Sequence, residues 1–111
     1  MKSPERALGS LRARLDAVDE ALVRVLSRRL KLCLDIARVK GRAAIPMMQP
    51  GRIAHVKRRV REAARSNGID PAFVERLYED IIAEACRLED RLLSAAPGHS
   101  RSRGTRRRTR A

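Results

Sequence analysis

Residues 11–40 read LRARLDAVDEALVRVLSRRLKLCLDIARVK, and this stretch decides the fold of the 111-residue chain. Apolar side chains recur in it every three or four residues, which is the a/d spacing of a helix that packs along one side. The same spacing already begins at Leu8, and we call the whole set the apolar seam: Leu8, Leu11, Leu15, Val18, Leu22, Val25, Leu32, Ile36 and Val39. Arg29 occupies the remaining a/d position. Because a guanidinium keeps its proton at any ordinary pH, its place in the seam predicts a bound anion.

The same stretch contains neither Pro nor Gly, so it predicts one uninterrupted helix, with Ser10 as its N-cap and Gly41 as its stop. Thirty residues at about 1.5 Å each span about 45 Å, whereas a small domain is only about 30 Å across. One copy of the chain cannot cover such a helix, and most soluble oligomers are symmetric homo-oligomers. We therefore expect an intertwined homodimer.

Two shorter helices are predicted after the long one. Pro50 lies in the first turn of the second helix, and Asn67 and Gly68 end it. Asp70 is the predicted N-cap of the third helix, with Pro71 as its first residue. Aromatic residues make up only 2% of the chain, and no segment alternates as a strand does. The predicted class is all-α, with three helices per chain.

Cations and one carboxyl group point toward the interior of this bundle. Lys40 follows Arg29 by eleven residues, which at about 100° per residue returns it to within roughly 20° of the same helix face. Arg52 is expected in the first turn of the second helix, where free N–H groups also favour an anion. Glu89 leans toward the apolar side of the third helix. Taken alone, Arg52 is equally well explained as a solvated helix start.

Arg12 needs a second chain if it is to share a ligand with Arg29. The two residues are seventeen positions apart, which is about 26 Å along an ideal helix. In an antiparallel dimer of long helices, Arg12 of one chain would lie beside the Arg29 and Lys40 region of the other. Without a partner, Arg12 is simply an exposed surface arginine.

Residues 94–111 carry +6 of the net charge of +13, and residues 1–93 carry the other +7. Residues 94–111, SAAPGHSRSRGTRRRTRA, contain six Arg and no acidic residue, so we expect a disordered tail after a helical domain of residues 1–93. The tail could contact nucleic acid nonspecifically through phosphates. A nucleic-acid-binding helical dimer is the alternative from another functional class. It requires cations on an exposed stripe, whereas Arg29 interrupts an apolar seam.

Other functional classes find little support. Cys33 and Cys86 lack CxxC spacing and are expected to be buried thiols that act as small hydrophobic side chains. His55 and His99 have no ligands at metal spacing, so we predict neither a metal nor a cofactor. The chain shows no apolar run near 18 residues and no signal-peptide pattern, so the expected location is the cytoplasm.

Over roughly residues 8–93, the chain resembles the all-helical chorismate mutases. The resemblance rests on the LR, D-x-x-D-x-x-L, R-R and K spacing of residues 11–40, on the loop before Arg52 and on the third helix through Glu89. It implies an intertwined homodimer that catalyses a [3,3] rearrangement of an enolpyruvyl ether without a cofactor. It also places substrate contacts at Arg29, Lys40, Arg52, Glu89 and, from the partner chain, Arg12.

Two positions depart from ordinary members of that family. An acidic residue that contacts the C4 hydroxyl commonly follows the arginine at position 52, and a serine commonly occupies position 85, but here these are Ile53 and Ala85. The segments IPMMQPGR, with Met48 and Gln49, and CRLED look like the 4-amino-4-deoxychorismate mutases of antibiotic pathways, which feed p-aminophenylalanine synthesis. Isochorismate pyruvate lyases also lack the acid. We rank the aminodeoxychorismate mutase first, chorismate mutase second and the lyase third.

The implied chemistry suits these residues. Fixed cations can hold the two carboxylates of the substrate in a compact, chair-like arrangement. Negative charge grows on the ether oxygen as the C–O bond breaks, and Lys40 is the first candidate to stabilise it. Glu89 is the second, but only when protonated, because an ionised carboxylate can only accept a hydrogen bond. We therefore predict Lys40 and Glu89 as catalytic residues, with substrate-binding residues Arg12, Arg29, Arg52, Met48, Gln49, Ile53 and Ala85.

Overall fold

The computed structural model describes residues 3–46 and 49–95, except for the side chain of Ala95. It contains three helices, α1 (Pro4–Ala43), α2 (Pro50–Ser66) and α3 (Pro71–Ala95). The described ranges contain no strand, which confirms the all-α prediction. None of the described helices is both long and apolar enough to cross a membrane. The predicted Arg-rich tail began at residue 94, but Ser94 and Ala95 still belong to α3. The rest of that tail, from residue 96 onward, lies outside the described residues.

Helix α1 begins earlier than the sequence pattern predicted. Ser3 is its N-cap, because the Ser3 Oγ accepts a hydrogen bond of 3.2 Å from the backbone N–H of Arg6, and Pro4 is the first helical residue. The prediction that Ser10 caps this helix was therefore wrong. Gly9 and Ser10 continue the helix instead, since an earlier serine already supplies the cap and glycine inside a helix costs only about 1 kcal/mol.

The other end of α1 also differs from the prediction. Gly41 was expected to stop the helix, but α1 continues through it to Ala43. The reversal is made by Ala44, whose φ of 57° is left-handed, and the backbone N–H of Ile45 donates a hydrogen bond of 2.9 Å to the carbonyl oxygen of Lys40. Glycine usually provides this left-handed turn at the end of a helix. Here alanine provides it, about one turn after Gly41.

The chain divides into two compact units, Met1–Leu32 and Cys33–Ala111, and the division falls within α1. The described part of the first unit is a single helical segment whose apolar side chains are largely exposed, as Leu15 at 57% and Leu22 at 63% illustrate. The second unit contains the end of α1 together with α2 and α3. Among the residues of this unit that the structure describes, the buried side chains are those of Ala37, Ala64 and Ala85.

Helices α2 and α3 form an antiparallel pair within the second unit. Asn67 is the C-cap of α2, and Gly68 reverses the chain with a φ of 71°. Asp70 then caps α3, because its Oδ1 accepts a hydrogen bond of 3.0 Å from the backbone N–H of Ala72. These observations confirm the predicted end of α2 and the predicted start of α3, with Pro71 as the first residue of α3.

Candidate active site

The first unit carries the two arginines that were predicted to bind one ligand. Arg29 is half-buried, whereas the apolar seam residues on either side of it, Val25 and Leu32, are 50% and 61% exposed. Arg12 is exposed on the same helix. Because a continuous helix separates the two residues by about 26 Å, one copy of α1 cannot bring both guanidinium groups to a small ligand.

The apolar seam remains open along the whole of α1. All nine of its apolar side chains are between 46% and 63% exposed. Exposure of one such side chain would be ordinary, but a row of nine exposed apolar side chains along one helix, interrupted by Arg29, is typical of a face that packs against another molecule.

Lys40 and Glu89 lie toward the same end of the second unit. A Cβ placed on Gly41, the residue after Lys40, would lie 3.9 Å from the Cδ2 of Leu93. Leu93 follows Glu89 by one helical turn on α3. Both Lys40 and Glu89 are half-buried, and Ala85, one turn before Glu89, is only 5% exposed. The predicted ether-oxygen donors therefore lie near the point where α1 approaches α3.

The start of α2 supplies the other predicted substrate contacts of the second unit. Gln49 is its N-cap, with an extended backbone and no side-chain capping bond, and its carbonyl oxygen accepts a hydrogen bond of 2.9 Å from the backbone N–H of Arg52. Arg52 is exposed, and the next residue, Ile53, is half-buried. Met48, the remaining predicted contact, lies outside the described residues.

A cavity of about 480 Å³ opens between α2 and α3 beside Ile53. Cys86 and Asp90, which lie on either side of Glu89 in the sequence, also line it. Cys33 and Cys86, which were predicted to be buried free thiols, are free but only half-buried. Sequence reasoning missed this cavity. Its only signal was the four-residue spacing of Cys86 and Asp90, which places both on one face of α3.

The charges near this cavity are arranged in pairs. On α3, Arg87 donates to Glu84 through two hydrogen bonds, of 2.9 Å from Nε and 2.6 Å from Nη2. This hydrogen bonding lowers the pKa of Glu84 and raises the pKa of Arg87. Both groups thus remain charged at neutral pH.

Among residues 3–46 and 49–95, no group of three or more His, Cys, Asp and Glu could hold a metal ion.

Residues 11–90 match the sequence model of the family described as chorismate mutase type II. The chain belongs to this family. The matched range contains every site residue predicted above, from Arg12 on α1 to Glu89 on α3. As a chorismate mutase type II protein, the chain is an isomerase of the mutase type.

Several named relatives of this chorismate mutase family protein are similar over most of its length. A protein of Streptomyces pristinaespiralis named 4-amino-4-deoxychorismate mutase is 49% identical over 88 residues, which cover 79% of this chain and 68% of the relative. A protein of the same name from Streptomyces venezuelae is 46% identical, over 81% of this chain and 87% of the relative. The isochorismate pyruvate lyase of Pseudomonas aeruginosa is 36% identical, over 74% and 82%.

Proposed function

We propose that the protein catalyses the [3,3] rearrangement of 4-amino-4-deoxychorismate to 4-amino-4-deoxyprephenate, on a route toward p-aminophenylalanine and antibiotic biosynthesis. The observation that carries this proposal is the identity of 49% and 46% to two Streptomyces proteins of that name. Chorismate mutase activity is the second candidate. Isochorismate pyruvate lyase activity is the third, and it is supported by the relative at 36% identity. We place the reaction in the cytoplasm.

The assembly in this proposal is a homodimer whose helices α1 cover each other's apolar seams. The nine exposed seam side chains support it, because burial of a Val, Leu or Ile side chain contributes roughly 1.5–3 kcal/mol. The separation of Arg12 and Arg29 along α1 also supports it, since an antiparallel partner would carry its Arg12 toward Arg29 of the first chain. Each active site would then contain residues of both chains.

In the proposed mechanism, Arg12 of the partner chain, Arg29 and Arg52 hold the two carboxylates of the substrate. Guanidinium groups suit this task because they form paired hydrogen bonds with carboxylates. The reaction is intramolecular, so the main contribution of these cations is to select the compact conformer in which the two reacting carbon atoms approach. Gln49, Met48, Ile53 and Ala85 complete the walls around the substrate.

Lys40 and Glu89 act on the ether oxygen in this mechanism. The C–O bond breaks while the new C–C bond forms, and negative charge accumulates on that oxygen. An ammonium and a protonated carboxyl, fixed beforehand, stabilise this charge more than they stabilise the ground state. Both side chains are half-buried on helices, which supports a preorganised role.

The dimer is tested by comparing two exposed apolar residues of α1. Leu22 belongs to the apolar seam and is 63% exposed, whereas Val23 lies off the seam and is 65% exposed. We expect light scattering to show wild type as a dimer at micromolar concentration. Leu22→Glu should be monomeric, because dimerisation would bury a carboxylate in the shared seam. Val23→Glu should remain dimeric. A folded wild-type monomer at that concentration would refute the proposal.

The substrate is tested by side-by-side turnover with purified protein. We expect kcat/KM to be at least about tenfold higher for 4-amino-4-deoxychorismate than for chorismate, a difference of roughly 1.4 kcal/mol in transition-state binding. The expected product is 4-amino-4-deoxyprephenate, and no pyruvate should appear. A preference for chorismate would support the second candidate instead, and release of pyruvate from isochorismate would support the third.

A further inference from the structure

Two ion pairs define how α2 and α3 face each other. The Arg61 Nη1 lies 3.2 Å from the Glu75 Oε1, and the Lys57 Nζ lies 3.4 Å from the Glu79 Oε2. Lys57 precedes Arg61 by four residues, while Glu79 follows Glu75 by four. The two helices are therefore antiparallel: a residue one turn earlier on α2 faces a residue one turn later on α3.

The next step of this register has no charged pair. It places Ile53 of α2 opposite Ala83 of α3, and neither side chain can form an ion pair. The cavity of about 480 Å³ opens at this step, and Ile53, Ile82, Ala83 and Cys86 supply its apolar lining. At this step the small side chain of Ala83 lies where the two preceding steps have a glutamate.

Four charged side chains line the cavity: the carboxylates of Glu79 and Asp90 and the cations of Lys57 and Arg87. Arg87 pairs with Glu84, which is not part of the lining. Glu79 lies in the ion pair with Lys57, on the side that leads toward Arg61. Asp90 lies eleven residues farther along α3, is half-buried, and directly follows Glu89 in the sequence. Of the two carboxylates, Asp90 is therefore the one nearer to the predicted catalytic end of α3.

The proposed substrate carries a positive charge, and the cations among the predicted site residues cannot bind it. An aliphatic amine is protonated at neutral pH, so 4-amino-4-deoxychorismate carries an ammonium group besides its two carboxylates. Arg29, Lys40 and Arg52 would repel that group. An ammonium placed against an apolar wall without an anion would also lose its hydration at considerable cost.

We propose that Asp90 is the residue that binds the C4 ammonium group and so selects the amino substrate over its hydroxyl analogue. Ile53, Ala83 and Asp90 line the same cavity, and the Asp90 carboxylate accepts a charge-assisted hydrogen bond from the ammonium. This inference rests on the proposed function, and it names a specificity-determining residue for that function. It also assigns a role to the cavity between α2 and α3.

The test is turnover of both substrates by Asp90→Asn, which keeps the shape of the side chain and removes its charge. We expect kcat/KM for 4-amino-4-deoxychorismate to fall by about 10- to 100-fold, the size of a lost hydrogen bond to a charged group. For chorismate, kcat/KM should fall much less, because the neutral C4 hydroxyl can still donate a hydrogen bond to the amide oxygen of Asn and loses no opposite charge. Asp90→Glu, which keeps the carboxylate, should retain a preference for the amino substrate.

The control is Asp80→Asn, which removes an exposed carboxylate from the same helix outside the cavity and should change neither substrate. Circular dichroism confirms the helical fold of each variant. The inference fails if Asp90→Asn keeps the wild-type preference, if it slows both substrates equally, or if Glu79→Gln removes the preference instead. If wild type does not turn over the amino substrate at all, the proposed function itself fails.

Discussion

Arg12→Ala and Arg29→Ala are each expected to abolish turnover, and a refolded mixture of the two inactive variants is expected to recover about a quarter of wild-type activity. Each proposed site takes Arg12 from one chain and Arg29 from the other. Random pairing of equal amounts makes about half of the dimers heterodimers, and each heterodimer contains one site with both arginines and one with neither. Half of the dimers therefore have half of their sites intact, which leaves about a quarter of the wild-type number of active sites.

The controls for this experiment are simple. Each variant refolded alone should remain inactive, and mixing the two folded homodimers without unfolding should recover activity only as fast as subunits exchange. Arg24→Ala, which removes an exposed arginine of α1 away from the apolar seam, should keep near wild-type turnover. Heterodimers that form without regaining activity would show that the two arginines do not serve one site.

Glu89→Ala is expected to lower kcat by about 10²-fold or more, because it removes a donor to the developing negative charge on the ether oxygen. Glu89→Gln should keep substantial activity, because an amide donates a hydrogen bond at every pH. Wild-type kcat should fall as pH rises and the Glu89 carboxyl ionises, since the ionised form offers no proton and repels the oxygen. In Glu89→Gln this alkaline limb should flatten.

The measurement is kcat against pH from about 5 to 9, for wild type and both Glu89 variants. Glu84→Gln is a matched control on the same helix. The hydrogen bond from Arg87 lowers the pKa of Glu84, so this carboxylate is already charged throughout the range, and any stability it adds is lost only as pH falls through that lowered pKa. Glu84→Gln should therefore keep the alkaline limb. An alkaline limb that persists in Glu89→Gln would leave Lys40 as the sole donor.

Local signals in the sequence were enough to predict the helical fold. The a/d pattern of residues 11–40 depends on helical spacing alone, and the cap at Asp70 and the reversal at Gly68 depend on neighbouring residues. The ends of α1 were predicted less well. Gly9, Ser10 and Gly41 carry helix-breaking signals of about 1 kcal/mol or less, which a long helix readily outweighs.

The residues of the candidate site also fall into two groups, those that local sequence signals could identify and those that they could not. Arg29, Lys40, Arg52 and Glu89 could be selected from the sequence, because a charged side chain on an apolar helix face or in the first turn of a helix is a local signal. That these four residues form one site together with Arg12 of a partner chain stays a prediction. The cavity beside Ile53 and the role we infer for Asp90 could not be selected in this way. They depend on the register of α2 against α3, and contacts such as Lys57 with Glu79 join residues 22 positions apart, beyond the reach of any local pattern.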